Sequence, residues 1–128
     1  MSVRRFGFSR RFRLSDNAAI REAFKHKAAS TNGMMLFTVK NGLDHNRYVC
    51  TFRRNFATAV QRNHRRRFCK EIFRHINGAL KQGYDVVVLF TKSDGEVSFV
   101  PLCSLLKKSS MISDEMALLE CLHIGCLK

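Results

Sequence analysis

The run Tyr84–Thr91, YDVVVLFT, narrows most sharply what this chain can fold into. Almost every position is β-branched or apolar, without polar alternation, which is the pattern of a strand buried on both faces. Such a strand needs neighbours beside it and cover over it, so the chain must build a sheet with helices packed against it. At 128 residues, surface scaling leaves roughly 7,000 Å² exposed out of about 21,000 Å² in the unfolded chain, enough burial for one domain with one core. The same run falls far short of the ~20 apolar residues that span a bilayer.

The flanking segments set the order of elements. Ser15-Asp16-Asn17 supplies N-cap residues, and Ala19, Ile20, Ala23 and Phe24 follow at helical spacing, which predicts a short helix near 17–26. Ser30 to Gly33 breaks it. Met34 to Lys40 and Arg47 to Arg54 read as strands, with Asn41 to Asn46 as a hairpin-type connection. Thr58 to Leu80 lacks proline and places Phe68, Ile72, Ile76 and Ala79 on one stripe, predicting the longest helix. Gly83 punctuates its end, Ser93-Asp94-Gly95 makes a turn, and a last helix is expected from about Ser98 to Lys108. The predicted order is αββαβα, an α+β two-layer sandwich whose sheet packs its helices on one face. Residues 1–13, with five arginines, read as a basic flexible arm, and 14–110 as a single domain. Residues 111–128, where the charge changes sign, read as a tail that packs Leu118, Leu119 and Leu122 in an extra helical turn or two.

Charge points to the partner. There are 23 Lys+Arg against 10 Asp+Glu, a net of +13, and so large an excess on so small a chain calls for a polyanion. Arg62, Arg66, Lys70 and Arg74 recur every four residues on the face opposite the apolar stripe. Like charges at this spacing sit about 6 Å apart and repel. Arg53, Arg54, Arg65 and Arg67 lie nearby, Asn63 flanks the row, and Glu71 is the only acid between 47 and 82. An ordinary solvated face mixes its signs; this one does not. Phosphates are the counter-charge that fits, and arginine's fork suits bidentate phosphate contacts. Engagement of about six to eight phosphates predicts log affinity falling with log salt at a slope of roughly −5 to −7.

Other chemistry finds little footing. The N-terminus carries positive charge but no apolar stretch behind it, so no signal peptide is expected. Five cysteines, an odd number without a C-x-x-C pair, read as reduced thiols in a cytoplasm. Cys121, His123 and Cys126 lie close together but lack the second half of a metal site. Metal-assisted phosphodiester cleavage needs carboxylates holding ions about 4 Å apart, and the acids here are scattered. His64 and His75 share a helix face but stand about 16 Å apart, too far to flank one phosphate. The residues therefore favour a protein that binds the phosphates of a polyanion, holds no metal and does no cutting. A ribosomal or ribosome-assembly protein shares this charge logic, and a self-sufficient small ribonuclease is the third possibility.

The segment RRNFATAVQRNHRRRFCKE resembles the signature of the protein subunit of bacterial ribonuclease P. Ala59, Val60, Arg62, Asn63, Arg66, Arg67, Lys70 and Glu71 fall on its A-V-x-R-N-x-x-[KR]-R-x-x-[KR]-E pattern. RLSDNAAIREAFKHK is similar to that family's first helix and GYDVVVLF to the strand after its signature helix, so the likeness covers roughly residues 10–110. The chain departs from the pattern at Asn55, Thr58 and His64, where basic residues are usual, at Ala57, where glycine is, and at Arg65, where an apolar residue is. Arg65 falls towards the predicted core face and would reach RNA only by snorkelling its head to solvent. The resemblance implies a left-handed strand–helix–strand crossover, against the right-handed form found in about 98% of cases. It also implies a catalytic RNA partner that holds Mg²⁺ at the scissile phosphate, and a precursor tRNA substrate that loses its 5′ leader. Arg53, Arg54, Arg62, Asn63, Arg66, Arg67, Lys70 and Arg74 would then face the catalytic RNA. Ile20, Phe24 and Phe37 would line the leader cleft, with neither a membrane nor an obligate protein partner involved.

Overall fold

The computed structural model describes residues 12–31, 33–53, 58–91, 99–114 and 116. In chain order these form helix α1 (Asn17–Ala23), strands β1 (Lys27–Thr31), β2 (Met34–Lys40) and β3 (Arg47–Phe52), helix α2 (Ala59–Ile76), strand β4 (Tyr84–Phe90) and helix α3 (Phe99–Lys108). A single 3₁₀ turn, Asn77–Ala79, follows α2. The strands make one mixed sheet in the order β1-β2-β4-β3.

β4 occupies the interior of that sheet, as its composition demands. It pairs antiparallel with β2 along Met34↔Phe90 to Lys40↔Tyr84, and parallel with β3 along Arg47↔Asp85 to Phe52↔Phe90. Val86, Val87 and Val88 are fully buried, so both of its faces are covered. On one face Val86, Val88, Phe90 and Leu36 meet Ile72, Phe73 and Ile76 of α2 and Leu102, Leu105 and Leu106 of α3. On the other, Val87 and Phe37 pack with Leu14 and Ala23. The expectation that all helices share one face is thus corrected. α2 and α3 do, but α1 covers part of the opposite face, because a strand apolar at every position needs cover on both.

Two further expectations give way. The predicted helix over 17–26 ends at Ala23 with Phe24 as its C-cap, and the chain turns through Lys25 and His26 into β1, a strand the sequence reading lacks. β1 is an edge strand of sequence KAAST, paired to β2. Nor do β2 and β3 form a hairpin: β4 lies between them. The connection 41–46 instead passes over the start of β4 and is clasped there. Asn41 N–H donates to Gly83 O at 2.9 Å. The fully buried Asn46 donates from Nδ2 to Lys81 O at 2.7 Å and accepts from Tyr84 N–H at 2.8 Å. Gly83 has φ +91°, and a Cβ there would stand 3.1 Å from Leu43 O, so both conformation and space require glycine.

The helix α2 is fixed at its start by a capping box. Thr58 Oγ1 accepts from Gln61 N–H at 3.2 Å, and the Gln61 side chain accepts from Thr58 N–H, also at 3.2 Å. Thr58, one of the departures from the resembled pattern, is thus the residue that begins this helix. Packed order continues past residue 110: Met111 is buried with the α2–α3 core, and Ile112 bridges to Leu80. Leu118, Leu119 and Leu122, and the Cys121–Cys126 cluster, lie outside the described residues.

Candidate nucleic-acid interface

Packing decides which face of α2 meets solvent. Cys69, Ile72, Phe73 and Ile76 bury one side against the sheet. The 3.6-residue period then turns Asn63, His64, Arg66, Arg67 and Lys70 outward, where all are exposed, while Arg62 is half-buried. Arg66 donates from Nη1 to Asn63 Oδ1 at 3.1 Å, and its guanidinium lies 5.0 Å from the centre of the Phe52 ring. This cation–π contact fixes the guanidinium beside the end of β3.

Arg74 is the least available member of the row. It is half-buried and pairs with Glu71, which also bonds His75 Nε2 at 3.0 Å. Burial pushes the Glu71 carboxyl up, but the hydrogen bonds from Arg74 and His75 outweigh it and hold the group below its ordinary range. Arg53 is exposed just past β3, its N–H bound to Phe90 O. Arg54, Asn55 and Ala57 lie outside the described residues.

Arg65 does not snorkel. Only 7% of its surface is accessible, and its guanidinium lies 5.4 Å from the centre of the Phe90 ring, on the sheet side of α2. The helix period aims it inward, and an aromatic face within reach holds it there.

The second constellation lies on the far face of the sheet. Phe24, at the end of α1, meets Phe37 of β2 edge-to-face with ring centres 4.9 Å apart, and Ile20 packs in the same cluster. Their exposure differs: Phe24 is 38% accessible, Phe37 5%. Phe24 is the exposed member of the pair, and Phe37 is the core residue that backs it. Met35, Val39, Val49 and Leu89 continue this half-buried apolar surface across β2, β3 and β4.

Sequence reasoning missed a part played by the N-terminal segment. Arg13 forms a parallel bridge with Tyr48, and Leu14 N–H donates to Tyr48 O at 2.9 Å, which brings an exposed Arg13 beside the edge of β3. The basic, phenylalanine-interleaved composition of residues 1–13 signals nucleic-acid contact, but nothing local tells where it docks. Between this segment, β3 and α2 opens a cavity of about 300 Å³. On its α2 wall the Cys69 thiol, hydrogen-bonded with Cys50 and buried, is pushed well above the ordinary thiol range.

Among the described residues no three His, Cys, Asp or Glu side chains gather as a metal site, and no helix is long and apolar enough to cross a membrane.

A family model described as Ribonuclease P matches residues 8–111 of the chain. The ribonuclease P protein component of Thermotoga petrophila is 36% identical over 91 residues, covering 70% of this chain and 77% of the relative. The solved RNase P protein from Thermotoga maritima superposes with a TM-score of 0.66 at 30% identity, over 75% of this chain and 96% of that one. The RNase P protein from Staphylococcus aureus, 19% identical, shares the fold with a TM-score of 0.67 over 80% of this chain and 92% of that one.

Proposed function

This chain belongs to the bacterial ribonuclease P protein family, and from that membership we propose that it works as the non-catalytic subunit of a ribonucleoprotein that removes 5′ leaders from precursor tRNA. The cationic ridge of α2, which carries the family signature and is broken only by Glu71, is the observation that most supports this reading. In it, Arg53, Arg54, Arg62, Asn63, Arg66, Arg67, Lys70 and Arg74 neutralise phosphates of a catalytic RNA. The 3.6-residue period sets those from Arg62 to Arg74 along one side of α2, where a rigid cylinder can lie along a polyanion without reorganisation.

The leader follows the opposite face, held by Ile20, Phe24 and the backing Phe37. Apolar and aromatic contact tolerates any base, because every base has a flat face. Mature tRNA has no leader, so this grip separates substrate from product without reading sequence. Cleavage and the Mg²⁺ it needs belong to the RNA. The protein tightens precursor binding and, by neutralising backbone charge, lowers the Mg²⁺ concentration the holoenzyme requires. It acts in the cytoplasm and needs no protein partner.

Reconstitution tests this. The purified chain alone leaves precursor intact; added to ribonuclease P RNA at low Mg²⁺, it stimulates cleavage of leader-bearing precursor. Cleavage by the chain alone would place the catalyst in the protein. Failure to stimulate would remove the chain from this reaction.

A further inference from the structure

The cavity between the N-terminal segment, β3 and α2 combines two surfaces of opposite character. Its floor is apolar: the half-buried Val49 and Cys50, backed by the buried Tyr48 and Phe73, whose rings stack with centres 4.2 Å apart. Its rim is cationic: Arg13 from one side, Arg66 and Lys70 from the other, all exposed. A phosphate alone gains nothing from that floor, and an uncharged apolar ligand gains nothing from that rim. The pair suits a flat, poorly hydrated body carrying an anionic group, which is the chemistry of a nucleotide. At about 300 Å³ the space is at the small end of the ~300–1,000 Å³ of ligand sites, room for one nucleotide and not for a duplex. β3 is the last strand on its side of the sheet, so the site opens at an edge and not beneath a layer.

We infer that this pocket receives a single unpaired nucleotide of the catalytic RNA, its base against Val49 and Cys50 over the buried Tyr48 and Phe73, and its phosphates on Arg13, Arg66 and Lys70. The inference rests on the reading that α2 docks on that RNA. Arg66 and Lys70 belong to the ridge itself, so RNA lying on the ridge passes the mouth of the pocket. The leader is the less fitting source: although Leu14 and Val49 of the lining belong to the cluster that holds Phe37, the cations of the rim and most of the lining, Cys50, Cys69, Tyr48 and Phe73 included, lie on the α2 side of the sheet edge. An RNA base splayed from its helix is what such a pocket reads, and it adds shape recognition to contacts that otherwise sense only charge.

Two measurements on the full chain test it. In the first, N-ethylmaleimide labelling is followed peptide by peptide, free and with saturating ribonuclease P RNA. Cys50 labelling slows at least ~10-fold in the complex, a factor in keeping with one buried base. In the second, Ser15→Trp fills the pocket from an exposed wall position without removing charge, and Cys50→Phe fills it from the floor. Ser15→Trp weakens RNA affinity about tenfold with an unchanged salt slope, while Arg66→Ala with Lys70→Ala lowers the slope by about 1–2. Full affinity in Ser15→Trp overturns the inference even where Cys50→Phe fails to fold. So does equal Cys50 labelling with and without RNA, or protection by a leader oligonucleotide as strong as by the catalytic RNA. If the Arg66, Lys70 double variant binds as tightly as the parent and with the same slope, the docking of α2 is what fails. If it weakens while Ser15→Trp does not, only the pocket fails.

Discussion

Arg47 and Asp85 face each other across the β3–β4 pair, Nε and Nη2 of the arginine donating at 2.8 Å to separate oxygens of the carboxylate. Asn41 Nδ2 adds a third bond to Asp85 at 2.9 Å, tying the loop over β4 to the same group. The carboxylate is 3% accessible, and its hydrogen bond with Arg47 pushes the guanidinium up, further into its charged form. The fork sits where the parallel pair starts, so it fixes the register of the edge strand that leads into α2.

Removing one partner leaves a buried charge. Arg47→Ala is expected to destabilise the fold by about 2–4 kcal/mol, below the upper end for buried pairs because Arg47 keeps some solvent contact. Replacing both, Arg47→Met with Asp85→Leu, restores most of that loss. Urea unfolding of the three variants measures it. A loss under about 0.5 kcal/mol for Arg47→Ala would place the pair among surface ion pairs.

Arg65 shows how a residue in a charged run is reassigned by geometry. It sits between His64 and Arg66 in sequence but over the Phe90 ring in space. Arg65→Met keeps the aliphatic stem and the contact with Phe90 while removing the charge, so stability stays within about 1 kcal/mol of the parent. The salt slope of RNA binding is unchanged, since this cation is not on the outer face. A slope reduced as much as by Arg66→Ala would show that Arg65 reaches the RNA.

Legibility in the sequence followed the range of the determining contacts. α2 and β4 were readable because their signals are local: a 3.6-residue stripe in one, unbroken β-branched character in the other. β1 was not, because KAAST has weak strand propensity and owes its conformation to pairing along Met34 and its neighbours. The insertion of β4 between β2 and β3 was equally hidden. Asn41-Gly42 resembles a hairpin turn, and the clasp from Asn46 to Lys81 and Tyr84 that overrides it joins residues far apart in sequence. At the interface, the ridge was legible as spacing, and Phe24 and Phe37 do lie in contact. Which of the two faces solvent, and that Arg13 stands beside α2, depended on the tertiary fold.

Glu71 gives α2 a modest acid sensitivity. Its folded carboxyl lies below the ordinary 4.5, so the folded state holds the proton less tightly than the unfolded chain. The stabilisation is complete above 4.5 and is lost as the pH falls through the lower folded value. Thermal unfolding of the parent and Glu71→Gln from about pH 6 to about pH 3 should show a gap favouring the parent that closes on acidification. A gap that widens instead would mean the carboxylate is not stabilised by Arg74 and His75. Because Glu71→Gln also removes a negative charge from beside the ridge, RNA binding at neutral pH should strengthen slightly.

The Phe24–Phe37 contact separates binding from stability within one aromatic pair. Phe24 is 38% accessible, so Phe24→Ala loses only part of a buried ring and its contact with Phe37, a cost of about 1–2 kcal/mol. Phe37 is 5% accessible and packs with Leu14, Ala23 and Val87, so Phe37→Ala opens a cavity and costs about 3–5 kcal/mol. If the leader lies across this face, Phe24→Ala weakens precursor binding by the holoenzyme about 5- to 100-fold, the span of one lost aromatic–base contact. Affinity for mature tRNA and assembly with the catalytic RNA stay as in the parent, since neither uses this side of the sheet. Equilibrium binding of precursor and mature tRNA, each with parent and Phe24→Ala holoenzyme, gives the four constants needed. Equal losses for both RNAs would show that Phe24 acts through the fold. No loss for either would move the leader off this face and leave the aromatic pair a purely structural contact.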